Sequence, residues 1–181
     1  MNKSNFLDKA LKFLIGWTVC FLIRLIPFKT PNIEPVLATQ MPFAKKYGAL
    51  FGFIFGALSI LLFDIVSQKI GVWTLITGIC YGLLGVFASI FFKKQKSTRL
   101  SYLKFAIVGT IFYDGLTGLT IGPLMFHQSF MESLTGQIPF TAMHLLGNCI
   151  LAVTLSPLVY KWIVNNNNLR FSKKLSEEPA K

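Results

Sequence analysis

Asp114 sits inside a long apolar run, in Tyr-Asp-Gly-Leu-Thr-Gly. A carboxylate in such surroundings is expensive and is retained for a partner, a ligand or an ion. His144 and Asn148, in Met-His-Leu-Leu-Gly-Asn, stand four residues apart and share one helix face, with Thr141 close to the same stripe. A lone histidine on an apolar helix is more often a satisfied core residue than a metal ligand, so the pair reads as polar groups facing an interior or a cavity. Glu34 lies in Lys-Thr-Pro-Asn-Ile-Glu-Pro, where prolines stiffen the chain and fix its polar groups. Such a segment is either a tight connection or a preorganised pocket wall, which loses less entropy on binding. Asn32, Glu34, Thr39 and Gln40 are its candidate wall residues, and Tyr113 joins Asp114. Asp64, beside Ser67, Gln68 and Lys69, suits a watery interface and the rim of the same pocket.

None of these residues forms a catalytic motif. The chain has no HExxH, no GxSxG, no phosphate-binding loop and no GxGxxG after a strand. Ser59 and His144 could be paired on paper as nucleophile and base, but no spacing supports the pairing. Without a nucleotide-binding loop the chain cannot couple ATP by itself. Cys20, Cys80 and Cys149 each lie in an apolar run and form no CxxC pair, which makes them reduced packing residues rather than a metal site. The expectation is a protein without cofactor or metal, and not an enzyme.

The elements that hold these groups are apolar helices. Hydrophobic residues make up 53% of the 181 and charged residues 14%, against about 25% in a soluble domain; mean hydropathy is +0.58. That composition excludes a soluble enzyme, a disordered chain and a disulfide scaffold, and fits a multi-pass membrane protein with one domain over 1–164 and a polar tail over 165–181. A span needs about 20 apolar residues. Ala10–Phe28, Tyr47–Phe63, Val72–Phe92, Leu100–Pro123 and Ile138–Val164 meet that need, the last with Pro139 in its first turn. No small-residue cleavage site follows the first apolar run, so the first helix is expected to be retained. Ile33–Ala44, closed by Lys45 and Lys46, is too short to span comfortably and predicts a half-length or tilted helix shielded by neighbours. The fold class is an all-α six-helix transmembrane bundle with a short second helix.

Charge supports the count. With the N-terminus in the cytoplasm, the inside segments carry Lys3, Lys9 and Lys12, then Lys45 and Lys46, then Lys93, Lys94, Lys96, Arg99 and Lys104, then Lys161, Arg170, Lys173, Lys174 and Lys181. Only Arg24, Lys29 and Lys69 of the 18 basic residues remain outside. If the short second helix did not cross, this bias would collapse. Both termini are therefore expected in the cytoplasm, and the net charge of +11 reads as orientation and contact with anionic lipid, not nucleic-acid binding. Glu34, Asp64, Asp114 and Glu132 fall toward the outer half, and the alternative to a ligand-lining Asp114 is an internal pair with Arg24 or Lys29 that holds the fold. His127, Gln128, Ser129, Glu132 and Gln137, with Phe126, Phe130 and Met131, predict an outer loop before the last helix, suited to an interfacial belt or a lid. Gly48, Gly52 and Gly56, and Gly78, Gly82, Gly85 and Ser89, form small-residue faces that serve either internal packing or a partner.

Two segments carry a family resemblance: Arg-Leu-Ile-Pro-Phe-Lys-Thr-Pro-Asn-Ile-Glu-Pro-Val-Leu-Ala-Thr-Gln-Met-Pro-Phe-Ala-Lys-Lys-Tyr-Gly over 24–48, and Ile-Pro-Phe-Thr-Ala-Met-His-Leu-Leu-Gly-Asn over 138–148. With six short helices and polar groups at the outer end, the chain resembles the substrate-binding S component of energy-coupling factor (ECF) transporters over roughly Ala10–Ile163, and looks like an uncharacterised branch. The resemblance implies a prokaryotic cell-membrane protein that captures a small vitamin-like molecule or metabolite outside. It implies a membrane T component and paired cytoplasmic ATPases as partners. The family's first helix often meets the T component through Ala-x-x-x-Ala, for which the nearest match here is Gly16-x-x-x-Cys20. An envelope scaffold of similar size is the alternative. Uptake expects a pocket lined by the polar residues named above; a scaffold expects them to pair and leave no cavity.

Overall fold

The computed structural model describes residues 3–26 and 33–169. The described chain is all-α: α1 (Lys3–Leu25), α2 (Val36–Tyr47), α3 (Ala49–Val66), α4 (Val72–Phe92), α5 (Arg99–Phe126) and α6 (Phe130–Val159), the last running on as a π-helical turn over Tyr160–Val164. By length and composition, α3, α4, α5 and α6 with its π turn can each cross a membrane. α1 is 23 residues long but carries Asp8, Lys9 and Lys12 in its first half and Arg24 at its end.

The short second helix is real, and its chemistry explains its limits. Pro35 precedes it, Lys45 and Lys46 occupy its last turn beside the negative end of the helix dipole, and Gly48 turns the chain into α3 with φ +93°, a value that favours glycine. At 12 residues it is about 18 Å long, well short of a bilayer core. Neighbours shield it: Val36 to Ala44 are all buried, against α3, α4 and α6. Pro42 lies in its interior and has no N–H to give the Ala38 carbonyl four residues back. Ser156 of α6 supplies the missing donor, its hydroxyl 2.7 Å from that oxygen. Gln40 donates to both Gly52 O and Tyr81 O at 2.8 Å, and so ties α2 to α3 and α4 at once.

The glycine faces divide. Gly52 and Gly56 press α3 onto α4 so tightly that a Cβ on Gly52 would lie 2.6 Å from Gly85 O, and one on Gly56 2.5 Å from Tyr81 O. That seam is internal. Gly16 lies against the Phe43 ring and Cys20 is buried, so the small pair on α1 also faces inward.

Two boundaries depart from the sequence reading. The expected outer loop over 127–137 is mostly helix, because Ser129 and Glu132 form a capping box: Glu132 Oε2 accepts from Ser129 N–H at 2.7 Å, and Ser129 Oγ accepts from Glu132 N–H at 3.2 Å. α6 therefore starts at Phe130 and Pro139 is interior, not first-turn. α5 likewise continues through Pro123 to Phe126. Phe126, Phe130 and Met131 are exposed, as a membrane-interface belt would be. The expected tail beyond residue 169, together with Lys29 and Asn32, lies outside the described residues.

The bundle has two chemically different ends. Lys12 of α1, Tyr47 of α2 and Val164 after α6 meet at one, where Lys12 Nζ and Tyr47 Oη both donate to the Val164 carbonyl. Arg24, Glu34, Asp64 and Trp73 gather at the other.

Candidate functional site

Arg24 ends α1 almost fully buried. Its guanidinium donates to Ser59 O at 2.7 Å and to Glu34 Oε1 at 3.2 Å, and lies 4.0 Å from the centre of the Phe63 ring. This corrects the expected partnership: Arg24 pairs with Glu34, and Asp114 pairs across helices with His144, Nδ1 to Oδ1 2.7 Å. Glu34, two residues before α2, lies within reach of the Arg24 guanidinium at the end of α1, whereas Asp114 on α5 faces His144 on α6. One turn deeper, Asn148 Nδ2 donates to Thr110 Oγ1 at 2.8 Å. Thr110 and Asp114 are four apart on α5, as His144 and Asn148 are on α6, so two consecutive turns of the helix pair are cross-bonded. Asp64, ending α3, accepts from the Thr74 hydroxyl at the start of α4.

These elements enclose a cavity of about 200 Å³ at the end of the bundle. Arg24, Glu34 and Asp64 supply its charged part, and Trp73, Tyr81, Tyr113 and Phe140 its aromatic walls, with His144, Thr77 and Ile60 between them. Tyr81 and Tyr113 pack with ring centres 4.4 Å apart, and His144 sits edge-on between Tyr113 and Phe140 at about 6 Å from each. A second cavity of about 370 Å³ adjoins it; Thr77, Tyr113 and Phe140 belong to both, and Gln128, Gln137 and Thr117 line the far side. Flat aromatic walls grip a planar ring by stacking, and the charged rim and carboxamides can take hydrogen bonds from a polar substituent.

Of the residues singled out in the sequence, Glu34, Asp64, Tyr113 and His144 line the first cavity, with Asp114 directly behind His144. Thr39, Gln40 and Asn148 are buried elsewhere, their hydrogen bonds directed to Pro35 O, to the α3–α4 seam and to Thr110. Asp114 Oδ2, Asn148 Oδ1 and Gln40 Oε1 are buried acceptors with no donor among the described residues. The scaffold alternative expected pairing without a cavity; the pairs are present, and so is the cavity. Trp73, Thr77 and Tyr81 were not anticipated, although their four-residue spacing marks one face of α4, and Phe140 stands one turn before His144. Among the described residues no group of His, Cys, Asp or Glu could hold a metal ion.

Residues 9–113 match the family described as ECF-type riboflavin transporter, S component. The chain belongs to that family. The match runs from Lys9 in α1 to Tyr113 and so takes in every residue of the first cavity except Phe140 and His144, which α6 adds, whereas most of the second cavity lies beyond it. Neither a curated protein nor a solved structure matches the chain. S components are multi-pass membrane subunits of prokaryotic uptake transporters, and they capture substrate rather than transform it.

Proposed function

We propose that this S component captures a flavin, or a molecule of similar ring size, in the two adjoining cavities at the Arg24–Trp73 end of the bundle. The observation that carries the reading is the shared wall of Thr77, Tyr113 and Phe140. The first cavity, about 200 Å³, is below the range of about 300–1,000 Å³ typical of ligand sites. A shift of the Phe140 ring would join it to its larger neighbour. The tricyclic ring stacks between the aromatic side chains, while the hydroxylated side chain meets Arg24, Glu34 and Asp64. His144, held by Asp114, presents its imidazole edge to the ligand.

This end faces outward, because the lysine-rich end belongs in the cytoplasm by the positive-inside rule; both termini are then cytoplasmic. A membrane T component and paired cytoplasmic ATPases supply the energy this chain cannot generate. Titrating riboflavin into the purified full chain in detergent, with quenching of flavin fluorescence as the readout, tests the reading. Saturable quenching that is reversed by an excess of a non-fluorescent flavin analogue supports it; absence of saturable binding refutes the flavin assignment.

A further inference from the structure

The second cavity has a polar wall that ring stacking does not use. Gln128 and Gln137 line it beside Thr117, Gly118 and Gly122 of α5. Each carboxamide lies where a glycine leaves room. A Cβ on Gly122 would stand 2.6 Å from Gln128 Oε1, and one on Gly118 would collide with the Gln137 carboxamide. The two glycines are four apart and so share one face of α5. Local structure fixes both side chains. His127, in the left-handed region at φ 52°, ends α5 and turns the chain, so that Gln128 N–H bonds Gly122 O at 3.3 Å. Ser133 Oγ donates to Gln128 Oε1, also at 3.3 Å. Gln137 Nε2 donates to Thr141 Oγ1, one turn further along α6, at 3.1 Å.

These bonds use the acceptor of one carboxamide and a donor of the other. Gln128 Nε2 and Gln137 Oε1 make no hydrogen bond among the described residues. On its other side Gln137 borders a lateral groove walled by Ile111, Leu119, Leu134, Ile138 and Leu145. It is half-buried within a helix long and apolar enough to cross a membrane. A carboxamide held there with an unused acceptor is costly, and a ligand in the cavity can supply the missing donor. One donor and one acceptor, both prepositioned on the same wall, match an imide edge, in which a ring N–H lies between two carbonyls. Gln128 Nε2 donates to a carbonyl, and Gln137 Oε1 accepts from the N–H.

We propose that Gln128 and Gln137 determine the specificity of the second cavity, and that they select a planar ring carrying an imide, –CO–NH–CO–. The inference rests on the substrate reading above and deepens it. The carboxamides set the ring with its imide edge toward the glycine face of α5, while its hydroxylated side chain points to Arg24, Glu34 and Asp64. A site built to bond the imide rejects a ring that lacks the N–H, because Gln137 Oε1 is then left without a donor.

The test titrates three fluorescent ligands into the full chain in detergent: riboflavin, its derivative methylated on the imide nitrogen, and lumichrome, which keeps the ring and the imide but lacks the hydroxylated side chain. The parent is expected to bind riboflavin about tenfold more tightly than the methylated derivative, the worth of one hydrogen bond. Gln137→Leu keeps the volume and removes the acceptor. It weakens riboflavin about tenfold and changes the methylated derivative less than twofold, so the discrimination disappears; a purely steric role would leave it in place. Gln128→Leu weakens both flavins alike, since both keep the carbonyl. Circular dichroism establishes that each variant is folded, and Gln137→Met is the second replacement without the acceptor. Equal affinity of the parent for riboflavin and the methylated derivative, or discrimination that survives in Gln137→Leu and Gln137→Met, overturns the imide proposal and leaves the flavin reading standing. Lumichrome binding that Gln137→Leu weakens about tenfold, with no binding of riboflavin, supports the imide site and refutes the flavin reading. Binding of none of the three overturns both.

Discussion

The Asp114–His144 pair separates a structural tie from a ligand-binding one, because the two roles respond oppositely to a paired replacement. Both side chains are buried, at 1% and 5% exposure, and 2.7 Å apart. His144→Leu alone leaves the carboxylate buried and stripped of its donor, which costs about 3–5 kcal/mol in comparable pairs. Asp114→Val alone leaves the imidazole without its acceptor and costs about 1–3 kcal/mol. Replacing both with apolar residues of similar volume removes the desolvation penalty with the bond, and folding stability returns to within about 1 kcal/mol of the parent. Ligand binding does not return, since the imidazole that lines the cavity is gone. Stability is read from urea or thermal unfolding in detergent, and affinity from flavin fluorescence. A double variant that binds as tightly as the parent would refute the role given to His144. A His144→Leu variant as stable as the parent would refute the pair itself.

Three further outcomes follow from the packing. Gly56→Leu places a side chain against the Tyr81 carbonyl and abolishes folding, whereas Gly115→Ala, where a Cβ meets nothing within 4 Å, is silent; thermal unfolding compares them. Gln40→Leu removes two bonds from α2 to the α3–α4 seam and lowers stability by about 1–2 kcal/mol at about 0.6–1 kcal/mol per bond, with flavin affinity changed less than twofold. Ser156→Ala strips the Ala38 carbonyl of the donor that Pro42 cannot supply, at a cost of about 1–3 kcal/mol, and hydrogen exchange in α2 rises.

Much of this architecture can be read from the chain, and the parts that cannot have a common cause. The short α2 is visible because prolines precede it, lysines close it and the charge bias requires a helix there. The start of α6 is misplaced because Pro139 looks like a first-turn proline; the stronger signal, Ser129 followed three residues later by Glu132, is also present in the sequence and outweighs it. Pairing across helices is harder. His144 and Asn148 share a face by spacing alone, but that Asp114 meets His144 rather than Arg24 depends on the stagger of α5 against α6, which no local pattern encodes. Gln40 shows the same limit. As a polar residue on a short apolar helix it fits a pocket wall, and only the approach of Gly52 and Tyr81 makes it a tie between helices. Of the aromatic walls Tyr113 was anticipated through its neighbour Asp114, but Trp73, Tyr81 and Phe140 were missed for the opposite reason: in a chain with 18 phenylalanines, three tryptophans and five tyrosines, they do not stand out from lipid-facing side chains.

The central claim is that a small aromatic molecule occupies the space around Thr77, and mass spectrometry of the compounds carried through purification tests it most directly. Thr77 borders both cavities, so Thr77→Trp sets a bulky ring across their shared wall while leaving Asp114 and His144 themselves unchanged. A flavin or flavin-sized ring compound in near one-to-one amount from the parent, and none from a folded Thr77→Trp variant, is the predicted result. Equal recovery from both proteins, or binding that survives with the space filled, would contradict the account.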